Sequence, residues 1–226
     1  MESLGDRFAR DLLEVNSRWA ASLPVDRRTW YRPGMSRAQF VEVLKQRCWN
    51  ERYLMEAFAA LVKKMPDADL KLKLASQAAD EANHYRLLAE RLLEMGEDPD
   101  DFEPPPPWVE FFEQTVHTLE PLEAIAAVHF TAEMVSMNVH LPDAQSTVYY
   151  DDPQTLALYR DYIQPDEERH EELCQVAMRR LITTQEQYDR AMRASALMRQ
   201  VLEETLRLFN ERVYGPLGTQ AETTTC

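Results

Sequence analysis

Apolar residues recur along this chain at three and four positions rather than two, which predicts amphipathic helices and no strand of any length. Proline and glycine supply the punctuation. There are only five glycines, and four of them fall where a helix should start or stop. The pattern predicts an N-terminal helix over about 2–22, then a loop through Pro24 and Pro33. Ser36 is placed to cap a long helix that runs to Lys64. Pro66-Asp67 breaks the chain, and a second long helix ends at Met95 with Gly96 as its stop. The acidic stretch from Glu97 to Pro107 closes on four prolines, which cannot be helix interior and suit a semi-rigid crossover. A short helix is expected near 108–118 and a third long one from Pro121 to His140, followed by a loop from Pro142 to Asp152. Helix resumes near Pro153 and continues to about 182, with a start or kink at Pro165, and a last helix covers roughly 184–213. The whole predicts one all-α helical-bundle domain over 1–218, with 219–226 a polar tail expected to be disordered.

Composition narrows the classes. The 226 residues suffice for one full core, and 45% hydrophobic with 28% charged residues is ordinary for a soluble protein. No apolar run approaches the roughly 18 residues of a membrane span. Met1 to Trp19 has no signal-peptide core, so the cytoplasm is the expected compartment. Cys48, Cys174 and Cys226 form no paired motif, and there is no Cys-x-x-Cys for a rubredoxin-like iron or zinc-ribbon module. The net charge of −14 argues against nucleic acid, whose binding is driven by neutralising phosphates.

The candidate chemistry lies in two copies of one pattern, Asp80-Glu81-Ala82-Asn83-His84 and Asp166-Glu167-Glu168-Arg169-His170. Residues three apart on a helix share a face, so each Glu-x-x-His aims a carboxylate and an imidazole at one point. Two such helices face to face supply two carboxylates and two imidazoles, which make the ligand set of a dinuclear metal site in a four-helix bundle provided each of two other helices adds a Glu. Glu51 fits the first of these, amid Leu44, Cys48, Met55, Phe58 and Val62 on one face; Glu56 is its rival. Glu133 fits the second, amid Ala126, Phe130, Met137 and His140. A carboxylate inside an apolar stripe must be paired, protonated or metal-bound. The expected ligand set is therefore Glu51, Glu81, His84, Glu133, Glu167 and His170. Four carboxylates neutralise two divalent cations, and mixed oxygen and nitrogen donors suit iron or manganese. His129 and His140 flank Glu133 and are either core residues or neighbours of the metals. Phe58, Phe130, Met134 and Met137 line a pocket or simply fill the core.

At these residues the chain resembles the ferritin-like di-iron carboxylate superfamily, over roughly 36–182. The separations of 30 residues from Glu51 to Glu81 and 34 from Glu133 to Glu167 are similar to those of bacterial hydrocarbon monooxygenases, acyl carrier protein desaturases and the ribonucleotide reductase small subunit. The resemblance implies a ferritin-like four-helix bundle with extra N- and C-terminal helices. It also implies that Asp80 and Asp166 hydrogen-bond the ligand imidazoles from behind. Leu88 stands where the reductase subunit carries a radical tyrosine, and Ile163 stands where arylamine N-oxygenases add a histidine. The haem-oxygenase-like di-iron oxidases offer an alternative of similar length, but Ile163 also fails their pattern.

What the resemblance implies is an oxygenase or oxidase. It would hold two iron ions, with manganese–iron occupancy suiting the same ligands, and use O₂ to hydroxylate, N-oxygenate or desaturate a small organic substrate. No flavin or iron–sulfur motif is present, so electrons would come from a separate reductase or ferredoxin. A ferroxidase or iron-handling protein is a second functional class, and a metal-free helical binding module, with the Glu and His residues in buried salt bridges, is a third. A homodimer is compatible with either, and no membrane or nucleic-acid partner is expected.

Overall fold

The structure is a computed structural model that describes residues 2–23, 34–118, 120–133 and 152–215. The expected tail at 219–226, the loop after Pro142 and the last third of the helix predicted to reach His140 lie outside the described residues. The described residues form seven helices and no strand. Helix α1 spans Leu4–Ser22 and α2 spans Arg37–Val62. Helix α3 is Ala68–Glu94 and α4 is Pro106–His117. Helix α5 begins as Pro121–Ala124 and continues as a π-helix, Ile125–Glu133. Helix α6 runs Pro153–Leu158, a π-helical turn Tyr159–Ile163, then Gln164–Leu181. Helix α7 is Gln185–Tyr214.

Local chemistry accounts for most of these limits. Ser36 and Gln39 cap α2 reciprocally, and Thr184 and Gln187 do the same for α7, so two otherwise orphaned N–H groups are satisfied at each start. The Asp67 carboxylate accepts the Leu70 N–H at 2.9 Å to open α3. Gly96 closes it with φ +81°, a left-handed value that a side chain would strain. The four prolines stay out of helix interior, but the short helix starts two residues before its expected beginning near 108. Pro106 and Pro107 form the first turn of α4, where a missing N–H removes no helical bond.

The predicted disturbance at Pro165 takes the form of a widened turn. The Gln164 N–H donates to the Tyr159 carbonyl, five residues back. Proline cannot donate at the next position, and its ring would clash with the carbonyl a turn earlier. The π-turn sits just ahead of that clash. The longer π-stretch in α5 has no such sequence cause; there the Thr131 hydroxyl donates to the Ala126 carbonyl at 2.9 Å, also five residues back.

Helices α2 and α3 pair as a hairpin with the most extensive contact in the molecule. The Gln164–Leu181 part of α6 packs on α1, α3 and α5, while α7 lies across α1, α4 and α5. The apolar core falls into two clusters. One contains Phe8, Phe58, Leu61, Leu74, Phe112 and Met178. The other contains Leu44, Cys48, Leu88, Leu92, Tyr159 and Ile163. Between them, along α2, α3 and α6 alike, lies a layer of polar residues: Glu51, Glu81, His84, Glu167 and His170, all buried. A buried Lys45 ammonium, 3.3 Å from Asp101 and 3.7 Å from Glu97, ties the acidic crossover to α2. Among the described residues no helix is long and apolar enough to cross a membrane.

Gly5 sits where α1 comes close to the backbone of α6. A Cβ added there would lie 2.5 Å from the Arg179 Cα and 2.7 Å from the Met178 carbonyl oxygen. Both are backbone atoms, so relief requires the helices to separate. Gly5→Ala is expected to destabilise the fold by about 1–3 kcal/mol. Thermal unfolding followed by far-ultraviolet circular dichroism should show an earlier transition with the low-temperature helical signal kept.

Candidate metal centre

The polar layer is built by three helices. Glu51 comes from the middle of α2, where every face is covered and Gln46 and Asn50 are buried beside it. Glu81 and His84 come from one face of α3, and Glu167 and His170 from one face of α6, each pair at the three-residue spacing. Glu51, Glu81 and His84 are fully inaccessible to solvent. Ligand atoms of Glu51, Glu81, His84 and Glu167 all lie within 4.8 Å of one another, a group that can hold a metal ion.

The arrangement is reciprocal. Glu81 sits between the two imidazoles, with Oε2 3.2 Å from His84 Nδ1 and Oε1 3.3 Å from His170 Nδ1. Glu167 does the same at longer range, 3.9 Å to His84 Nδ1 and 3.5 Å to His170 Nδ1. Glu51 Oε2 lies 3.7 Å from His84 Nδ1, on that side alone. The outward nitrogens cross over: His84 Nε2–H donates to Asp166 Oδ2 at 3.0 Å, and His170 Nε2–H donates to Asp80 Oδ2 at 3.3 Å. Each aspartate therefore serves the imidazole of the other motif. With Nε2 committed as a donor, Nδ1 is the nitrogen each ring turns toward the carboxylates, and its lone pair becomes available to a metal once any proton there is given up.

Electrostatics reflect three buried carboxylates in one small volume. Burial and the Glu167 and Glu51 charges push the Glu81 carboxyl well above its usual range, against the pull of the His84 contact. Burial also acts to raise Glu51, but the Arg47 guanidinium and the His84 ring outweigh it and hold that carboxyl low. His84 would be lowered by burial, yet its contacts with Glu51 and Glu81 carry it up to about 12. Among the described residues Glu51 Oε2 has no hydrogen-bond partner, and it is closed to solvent. An orphaned buried carboxylate oxygen in a nest of oxygen and nitrogen donors fits a bound cation, which would satisfy it.

Against the sequence expectations, Glu51, Glu81, His84, Glu167 and His170 are brought together, and Asp80 and Asp166 stand behind the imidazoles. Glu56, the rival to Glu51, is exposed. Glu133 closes the π-stretch of α5, but its side chain lies outside what the structure describes, as do the Phe130 side chain and Met134, Met137 and His140. His129 is buried, its Nδ1 3.2 Å from Cys174 Sγ and its ring 4.1 Å from that of Phe58. Burial and the neighbouring His170 hold its basicity far below normal, so it is a neutral ring. Sequence reasoning missed Arg47, whose Nη2 lies 3.1 Å from Glu51 Oε1, and Gln77, whose amide donates to Glu81 Oε1 at 3.5 Å. Both stand four residues before the carboxylate they touch, a spacing that was legible.

No family model matches the chain, and neither a curated protein nor a solved structure matches it.

Two outcomes follow from this geometry. Asp80→Ala and Asp166→Ala should each weaken metal binding by roughly 10–100-fold. The disturbance should cross between motifs: loss of Asp166 should shift the ¹⁵N resonances of His84, and loss of Asp80 those of His170. In the metal-free protein Glu81 and His84 hold protons that ligands must give up. Metal uptake should therefore release protons and tighten as pH rises toward about 8, where Glu81 ionises. Calorimetry in buffers of different ionisation enthalpy measures both effects.

Proposed function

We propose that the chain is a non-haem di-iron oxygenase or oxidase of the ferritin-like carboxylate type, using O₂ and externally supplied electrons to act on a small organic substrate. The observation that carries this reading is the placement of Glu81, with one oxygen toward each of two imidazoles. A carboxylate so placed would be shared between two bound ions. Glu167 repeats the geometry at longer range, and together with Glu81, His84 and His170 it would hold the metal. Glu51 belongs to the His84 side, and by spacing Glu133 is assigned to the His170 side. The donor set suits iron, and manganese–iron pairs as well.

A bound ferrous pair supplies the two electrons at a time that O₂ reduction needs for hydroxylation, N-oxygenation or desaturation. The protein residues supply the rest. Asp166 and Asp80 hold the imidazoles in the tautomer that presents Nδ1 inward. The apolar clusters above and below the polar layer exclude water and stray reductants. Arg47 balances the charge of Glu51 and keeps it ionised. A reductase or ferredoxin as donor remains part of the proposal, since the sequence carries no redox motif of its own.

Anaerobic loading with ferrous iron tests the reading. About two irons per chain are expected. Bound iron should raise the unfolding temperature, and adding O₂ should give a transient visible absorbance that substrates alter. Glu81→Ala with His170→Ala should abolish all three responses. Absence of bound iron in the wild-type protein, or equal binding in the double variant, would contradict it.

A further inference from the structure

The cluster is walled by apolar residues at both ends of its layer, so an ion must enter from the side. Between α3 and α6 lies a cleft of about 240 Å³ whose lining includes Lys73, Ser76, Gln77, Asp80, Arg169 and His170. Lys73, Ser76 and Arg169 are exposed, whereas Gln77 and His170 are buried, so the cleft runs from solvent to the wall of the cluster. Its floor is one side chain from the centre, because the Gln77 amide touches Glu81 Oε1. Two larger cavities, one beside Phe40 and Arg91 and one beside Phe111 and Leu197, touch no cluster residue.

Arg169 spans the mouth of this cleft. Its Nη2 donates to Asp166 and lies 3.6 Å from Asp80 Oδ2, while Nη1 donates to the Pro165 carbonyl at 3.2 Å. The side chain is nonetheless 59% exposed. One guanidinium thus clasps both aspartates that steer the imidazoles, and it places a positive charge across the path of any incoming cation. The other motif has Asn83 at the corresponding position, and Asn83 turns away to accept from Arg86 at 2.8 Å. The clasp is therefore single.

We propose that the cleft between α3 and α6 is the portal through which divalent cations reach the cluster, and that Arg169 is its gate. The inference rests on the metal-centre reading above. Swinging the exposed Arg169 side chain outward removes the repelling charge and uncovers Asp80, which offers the entering ion a first carboxylate. Gln77 and Glu81 follow one step further in. With the ion seated, the guanidinium returns to both aspartates and holds the imidazoles in place. Lysine could supply the charge at the mouth but not the planar fork that reaches two carboxylates.

The test uses full-length, metal-free protein and Mn²⁺ alone, with uptake read from loss of the free-ion electron paramagnetic resonance signal and release read after excess chelator. Arg169→Ala should accelerate both uptake and release by roughly tenfold, the range of one charged hydrogen bond, with the number of ions bound unchanged. Arg169→Lys should fall between. Ser76→Trp, which fills an exposed wall of the cleft, should slow both. Wild-type rates in Arg169→Ala and Ser76→Trp at full occupancy would overturn the portal and leave the metal centre standing. Faster release without faster uptake would mark loosened imidazoles and overturn the gate. Failure of the wild-type protein to bind Mn²⁺ would remove the metal-centre reading, and the portal with it.

Discussion

Three carboxylates with almost no access to water share one small volume in the middle of this molecule, and much of the structure answers that constraint. A buried ion left alone costs several kcal/mol, and removing one partner of a buried pair is worse than never having had it. Among the described residues the partners are two imidazoles, Arg47 and the Gln77 amide, and they do not suffice: Glu51 keeps an oxygen with no hydrogen bond, and Glu81 is driven toward its protonated form. A fold selected for stability alone would fill the same layer with leucine and join the two apolar clusters into one core. Their separation by a polar layer, repeated on three helices at one height, is the physical basis for reading the layer as a receptacle for cations.

The layer also organises the helices around it. The contacts His84–Asp166 and His170–Asp80 cross between α3 and α6 in both directions, so the two motifs hold each other and neither is complete alone. Arg169 closes the outer side of that exchange. Farther out, Lys45 secures the crossover, and Gly5 allows α1 to approach the backbone of α6. These contacts lock the faces of α3 and α6 that carry the donors, which keeps the imidazole nitrogens aimed at the carboxylates before any ion arrives.

Helix positions were legible because proline, glycine and the caps Ser36, Asp67 and Thr184 act locally. The donor residues were legible because a three-residue spacing maps directly onto one helix face, and because Glu51 stood amid apolar neighbours whereas Glu56 did not. The rest depended on relations between distant residues. Nothing along the chain reveals that Asp80 serves His170 rather than His84, since that depends on how α3 and α6 cross. The π-stretch over Ile125–Glu133 has no proline or glycine to announce it, and Pro106 and Pro107 open a helix where four consecutive prolines suggested none. Arg47 and Gln77 were findable by their four-residue spacing to Glu51 and Glu81. The pairing of His129 with Cys174 joins α5 to α6 and had no sequence signal.

In the proposed function the buried carboxylates and imidazoles would seat two iron ions, one on each side of Glu81. Diffraction from crystals loaded anaerobically with ferrous iron, collected on both sides of the iron absorption edge, tests it most directly. Two anomalous peaks are expected, one beside His84 Nδ1 and one beside His170 Nδ1, with Glu81 between them. A single peak, peaks only at surface carboxylates, or none would contradict it.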